Sequence, residues 1–65
     1  MFVLVNGKAY PFPQSGTLAA LLRSLSPLAP FAVALNEEFI SQGTYENCLV
    51  HPNDRIDIVH PTAGG

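Results

Sequence analysis

TLAALLRSL, residues 17–25, sets Leu18, Leu21, Leu22 and Leu25 at i, i+3, i+4 and i+7. That spacing gathers the four leucines on one stripe of an α-helix and leaves Ala19, Ala20, Arg23 and Ser24 on the other face. Thr17 stands one residue ahead of the stripe, where its hydroxyl can accept a hydrogen bond from an orphan N–H of the first turn. Gln14-Ser15-Gly16 is a turn cluster before the helix, and Pro27 and Pro30 end it, because neither fits a helix interior. A helix with a single apolar stripe needs a surface to cover, and the flanking sequence supplies strands.

Upstream, Met1 to Val5 is a short apolar run that ends at Asn6-Gly7, a pair suited to the positive φ angles of a two-residue hairpin. Lys8 to Phe12 reads as the return strand. Pro11 and Pro13 lack the N–H that a central ladder needs, so this strand belongs at an edge. Downstream, Phe31 to Leu35 alternates large and small residues, which places Phe31, Val33 and Leu35 under the leucine stripe and Ala32 and Ala34 opposite. Asn36-Glu37-Glu38 reads as a turn and Phe39-Ile40 as a short fourth strand. No period is clear from Ser41 to Asn53, where Tyr45, Cys48, Leu49 and Val50 are the expected anchors of a loop packed on the core. Asn53-Asp54 turns the chain into a last strand, Arg55 to His60, with Ile56 and Ile58 on one face and Asp57 and Val59 on the other. Pro61 closes the ladder.

This order predicts an α+β fold, a mixed sheet of about five strands crossed by one helix, with the first hairpin parallel to the last strand. That is the β-grasp arrangement. The reading is a single domain over residues 1–65. Residues 1–60 form its globular part and 61–65 a flexible tail, since Thr62-Ala63-Gly64-Gly65 has nothing to bury.

Composition narrows the function. At 65 residues and 7.0 kDa the chain is too short for a two-domain enzyme. A net charge of −2 with no basic run argues against nucleic acid as a partner. The longest apolar runs, Met1–Val5, Leu18–Leu22 and Phe31–Leu35, are five residues each, against about 20 for a membrane span. No secretory segment is legible, which points to the cytoplasm. Cys48 is the lone cysteine, so no internal disulfide is available and apolar packing must carry the fold. Charged residues are 12%, about half the usual ~25%, and some of the surface must therefore be apolar.

If Val3 and Val5 face the helix, Phe2 and Leu4 join Val59, Ala32 and Ala34 on the uncovered side of the sheet. This is a candidate partner-docking patch unless the Ser41–Val50 loop covers it, and Glu37, Glu38, Glu46 and Asp57 could ring it. Cys48-x-x-His51 is only half of a metal site. Zinc needs four ligands, and His60 and Asp54 have no matching spacing, so no metal is expected and Cys48 reads as a small core residue. There is no nucleophile triad, phosphate-binding glycine loop or paired carboxylate set. The chain is not expected to be an enzyme.

Val3 and Val5 before Asn6-Gly7, Thr17-Leu18 leading into Leu21-Leu22-Arg23-Ser24-Leu25, Val33-Ala34-Leu35-Asn36, Tyr45, Asp54 before Ile56-Asp57-Ile58-Val59, and the final Gly64-Gly65 carry a resemblance over the whole chain. It resembles the ubiquitin-like sulfur carriers, most closely the ThiS family of thiamine biosynthesis. Asn53 stands where that family usually has Gly, and Tyr45 where it often has Trp; Asn also tolerates positive φ. The resemblance implies that an E1-like adenylating enzyme uses ATP to attach AMP to the Gly65 carboxylate. A persulfide-bearing donor then converts it to a thiocarboxylate, and thiazole synthase consumes the sulfur for the thiazole ring of thiamine. Thr62, Ala63 and Gly64 would enter the partner's active site, and the chain itself would bind no cofactor. Glycine suits this chemistry. Gly65 offers no side chain to hinder attack at its carbonyl carbon, Gly64 passes where a Cβ would block, and four extended residues reach roughly 13 to 14 Å. A molybdopterin-type carrier, a ubiquitin-like protein modifier and a β-grasp interaction module are the alternatives.

Overall fold

Five strands, β1 (Phe2–Val5), β2 (Lys8–Pro11), β3 (Ala32–Leu35), β4 (Glu38–Ile40) and β5 (Arg55–Val59), form one sheet in the computed structural model, which describes residues 1–13 and 15–61. Their spatial order is β2-β1-β5-β3-β4. The last strand in sequence is thus central, parallel to β1 and antiparallel to β3, with β2 and β4 at the edges. The hairpin, the edge position of β2 and the parallel closure all follow the sequence reading. Helix α1 (Leu18–Leu25) starts as expected, with the Ala20 N–H donating to the Thr17 hydroxyl at 3.2 Å. It ends at Leu25, ahead of Pro27, as the sequence predicts. Ser26 turns left-handed at φ 50° and donates its N–H to the Leu22 carbonyl at 2.8 Å, so the helix is already capped before Pro27.

Strand alternation sorts the side chains. Val3, Val5, Val33 and Ile56 are buried beneath Leu18, Leu21 and Leu22, with Val50 completing the cluster. Phe31, Leu35, Ile40 and Ile58 pack partly buried against it. Ala19, expected on the outer face of α1, is buried too. Its cover is a 3₁₀ segment at Gln42–Asn47, within the stretch where no period was legible; Tyr45 of that segment lines a groove with Ala19 and Leu22. Leu49 is not an anchor. It is 61% exposed, and what holds it is backbone. Leu18 N–H donates to Cys48 O and Val50 N–H to Gly16 O, both at 2.8 Å, around an antiparallel bridge between Thr17 and Leu49. Tyr45 and Cys48 do pack against the core.

Two asparagines bracket the central strand. Asn6 and Asn36 are the first turn residues of the two hairpins, at φ 49° and 51°, the left-handed region that this residue tolerates. The Asn6 carboxamide oxygen accepts from Ile58 N–H at 2.8 Å and its amide donates to Ile58 O at 3.3 Å. On the other flank Asn36 accepts from Arg55 N–H at 2.9 Å and donates to Asp54 at 3.1 Å. Each turn thereby extends the ladder on β5 by side-chain bonds. Burial pushes the Asp54 carboxyl upward, but bonds from Asn36 and the His51 N–H, together with the nearby His51 imidazole, outweigh it and hold Asp54 below the ordinary carboxylate range. Asn53, standing where glycine is usual, adopts φ 70° and donates its N–H to Phe2 O at 2.8 Å, so the turn into β5 is kept.

Candidate functional site

The β5 strand runs toward the C-terminus held on both sides. Val5 and Ile56 are partners on one flank, and the pairs from Leu35 and Ile56 to Ala32 and Val59 lie on the other. Beyond Val59, His60 and Pro61 are exposed. The His60 ring meets that of Phe31 edge-on, centroids 6.4 Å apart at 61°. Gly65, the residue expected to be modified, and Thr62, Ala63 and Gly64, expected to enter the partner's active site, lie outside the described residues.

The face of the sheet away from α1 is open. Phe2 is 43% and Val59 59% exposed, with Leu4, Ala32 and Ala34 half-buried between them. The 3₁₀ segment that could have covered this face lies instead beside α1, where Glu46 pairs with Arg23 at 3.2 Å. Phe39, 68% exposed, belongs to the same face, being the partner of Ala34 while its neighbour Ile40 packs on the core. It was legible in principle, because a strand that buries Ile40 must turn Phe39 outward.

The acidic ring takes another form. Arg55 reaches Glu37 at 3.0 Å and Asp57 at 3.7 Å, so these two carboxylates are tied to a cation on the face itself. Glu46 belongs to the helix side. Exposed pairs of this kind add little stability, but they put a polar bar among the apolar residues of the face.

Cys48 and His51 do not converge into a metal centre. His51 is exposed and its Nδ1 lies 3.6 Å from Asp54, and among the described residues no group of three His, Cys, Asp or Glu is placed to hold a metal ion. Burial raises the Cys48 thiol above its ordinary pKa, and the charges of Asp54 and Glu38 raise it further, which disfavours the reactive thiolate. Two grooves of about 440 and 400 Å³ flank α1, one lined by Tyr10, Phe12 and Leu21, the other by Leu22, Phe31 and Tyr45. Neither includes a histidine. No helix among the described residues is long and apolar enough to cross a membrane.

A mixed sheet in this order with one helix across its face is the ubiquitin-like β-grasp fold. The crystal structure of the thiamine biosynthesis protein ThiS from Geobacter metallireducens has the same fold, with a TM-score of 0.82 at 23% sequence identity and 100% of both chains covered. Among curated proteins no match was found. The ThiS family model matches residues 3–65, and the chain belongs to the ThiS family, sulfur carriers of thiamine biosynthesis.

Proposed function

We propose that this chain is a single carrier domain, not a catalyst, whose reactive group is the carboxylate of Gly65. The observation that carries the reading is the reach of the family match, which runs from the first strand through Gly64 and Gly65. In the proposed cycle the Gly65 carboxylate attacks the α-phosphate of ATP inside an E1-like adenylating enzyme, giving the acyl-adenylate and pyrophosphate. The terminal sulfur of a persulfide attacks the acyl carbon, and AMP leaves. A thiol then reduces the resulting acyl disulfide, keeping the disulfide on the donor side and releasing the thiocarboxylate. Thiazole synthase is the proposed consumer. Nothing in the cycle calls for a cofactor on this chain.

The test is intact mass after incubation with ATP, the adenylating enzyme, a persulfide donor and a thiol. The native chain should gain the difference between sulfur and oxygen. Isopeptide adducts to lysine would instead make it a modifier, and sulfur delivered to a molybdopterin precursor but not to thiazole would make it the other type of carrier. An unchanged mass would leave it an interaction module.

Phe2, Leu4 and Val59 are the proposed docking patch for the adenylating enzyme, continuous along β5 with the segment that carries Gly65. Phe2→Asp or Leu4→Asp should weaken that binding at least about tenfold, since a charge is then desolvated without a partner. Titration calorimetry checks this. Unchanged affinity in both variants, with intact melting curves, would remove the patch from the interface.

A further inference from the structure

We propose that Phe31 and His60 form a clamp that aims the C-terminal segment, His60 being a positioning residue for the chemistry at Gly65. The inference rests on the carrier reading above.

The β3–β5 ladder has Ala32 and Val59 as its last partners. Carried on by one residue, the same register sets Phe31 opposite His60, and their rings close on each other there, 6.4 Å between centroids and 61° between planes. This is the edge-to-face geometry that aromatic pairs prefer. The two rings are held unequally. Phe31 is anchored, because it packs half-buried against the core cluster. His60 is exposed, so its place depends on that contact rather than on burial.

Pro61 makes the contact consequential. Its ring fixes its own φ near −65° and biases His60 toward extended backbone. A fixed His60 therefore carries the direction of β5 as far as Pro61. Four residues, Thr62 to Gly65, follow Pro61, up to roughly 14 Å of chain when fully extended. For a segment drawn out straight in a partner's channel, a swing of about 20° at its root would move the tip by about 5 Å, ten times the ~0.5 Å tolerance of a preorganised site. The root is therefore where a weak contact has the largest effect on delivery.

His60→Ala and His60→Phe separate the clamp from other roles, since His60 is exposed and neither change opens the core. With the adenylating enzyme and ATP, His60→Ala should lower kcat for acyl-adenylate formation about three- to tenfold, the population ratio an edge-on aromatic pair sustains. KM for the carrier should stay unchanged, because docking is left intact. His60→Phe should restore kcat. In parallel, amide ¹⁵N relaxation of the isolated carrier should show the Thr62 N–H more mobile in His60→Ala than in the native chain or His60→Phe.

Unchanged Thr62 relaxation in His60→Ala would overturn the clamp whatever the enzyme does. A rise in KM alone would make His60 a docking contact, and failure of His60→Phe to restore kcat would assign its effect to the imidazole; each overturns the proposal. If the native chain is not adenylated at all, the carrier reading fails, while the relaxation comparison still decides whether the clamp exists.

Discussion

A chain shortened by Gly65 should take up no sulfur and melt like the native protein. The carboxylate then sits on Gly64, which is chemically equivalent, so the expected loss isolates reach from reactivity. One residue of extended backbone is up to about 3.6 Å, several times the ~0.5 Å within which a preorganised site holds its reactants. An extra residue after Gly65 should fail for the opposite reason, carrying the carboxylate past the α-phosphate. Neither change touches the core, whose last packed residue among those described is Ile58. Intact masses of the three chains after incubation with ATP, adenylating enzyme, persulfide and thiol are the measurement. Equal sulfur uptake by the shortened or extended chain would disprove a mechanism that acts at the Gly65 carboxylate.

The second large effect is on stability. Ile56, the second residue of β5, is fully buried and is the partner of Val5 on one side and of Leu35 on the other. Truncation to alanine removes buried methyl groups where three strands meet and leaves a cavity the sheet cannot close, at a cost of about 2 to 5 kcal/mol. At ~0.05 to 0.15 kcal/mol per residue a domain this short holds about 3 to 10 kcal/mol in all. Ile56→Ala should therefore lower the urea midpoint sharply and, at the low end of that stability range, leave the domain near its unfolding midpoint in dilute buffer. Leu28→Ala, at an 82% exposed position, should change the urea midpoint little, by less than about 0.5 kcal/mol. A cost below about 1 kcal/mol for Ile56→Ala would mean that β5 is not the keystone its burial indicates.

What the sequence disclosed divides along the range of the forces involved. The leucine stripe, the Thr17 cap, the Asn6-Gly7 hairpin and the alternation of Ile56 and Ile58 against Asp57 and Val59 are local patterns, and they sufficed to place α1, β1, β2 and β5. Gln42–Asn47 escaped because a 3₁₀ segment has no repeat long enough to show in QGTYEN. Leu49 misled because its tether is a backbone bridge to Thr17, and backbone bonds leave no trace in residue type. A leucine-only stripe puts Ala19 outside because it ignores what packs on the helix flank, where Ala19 is buried. At the site, Asn6 and Asn36 were legible as turn residues, but their bonds to β5 depend on which strand ends beside the turn. The Arg55 bar with Glu37 and Asp57 required the register of β5 against the turn between β3 and β4. The meaning of Gly64-Gly65 came from family resemblance alone, since two glycines carry no pattern of their own.

The central place of β5 also dictates the order in which the molecule can come into being. The two hairpins are made of near neighbours and can form early, yet each leaves one flank without a partner until Arg55–Val59 inserts between them. The parallel pairing of β1 with β5 joins residues about fifty positions apart, a closure among the slowest that a short chain can make. Any cooperative structure must therefore await Arg55–Val59. A fragment that stops before Arg55 keeps both hairpins but lacks the strand that joins them. Such a fragment should stay unfolded and open to proteolysis, so that whatever folds carries β5 and the chain that follows it.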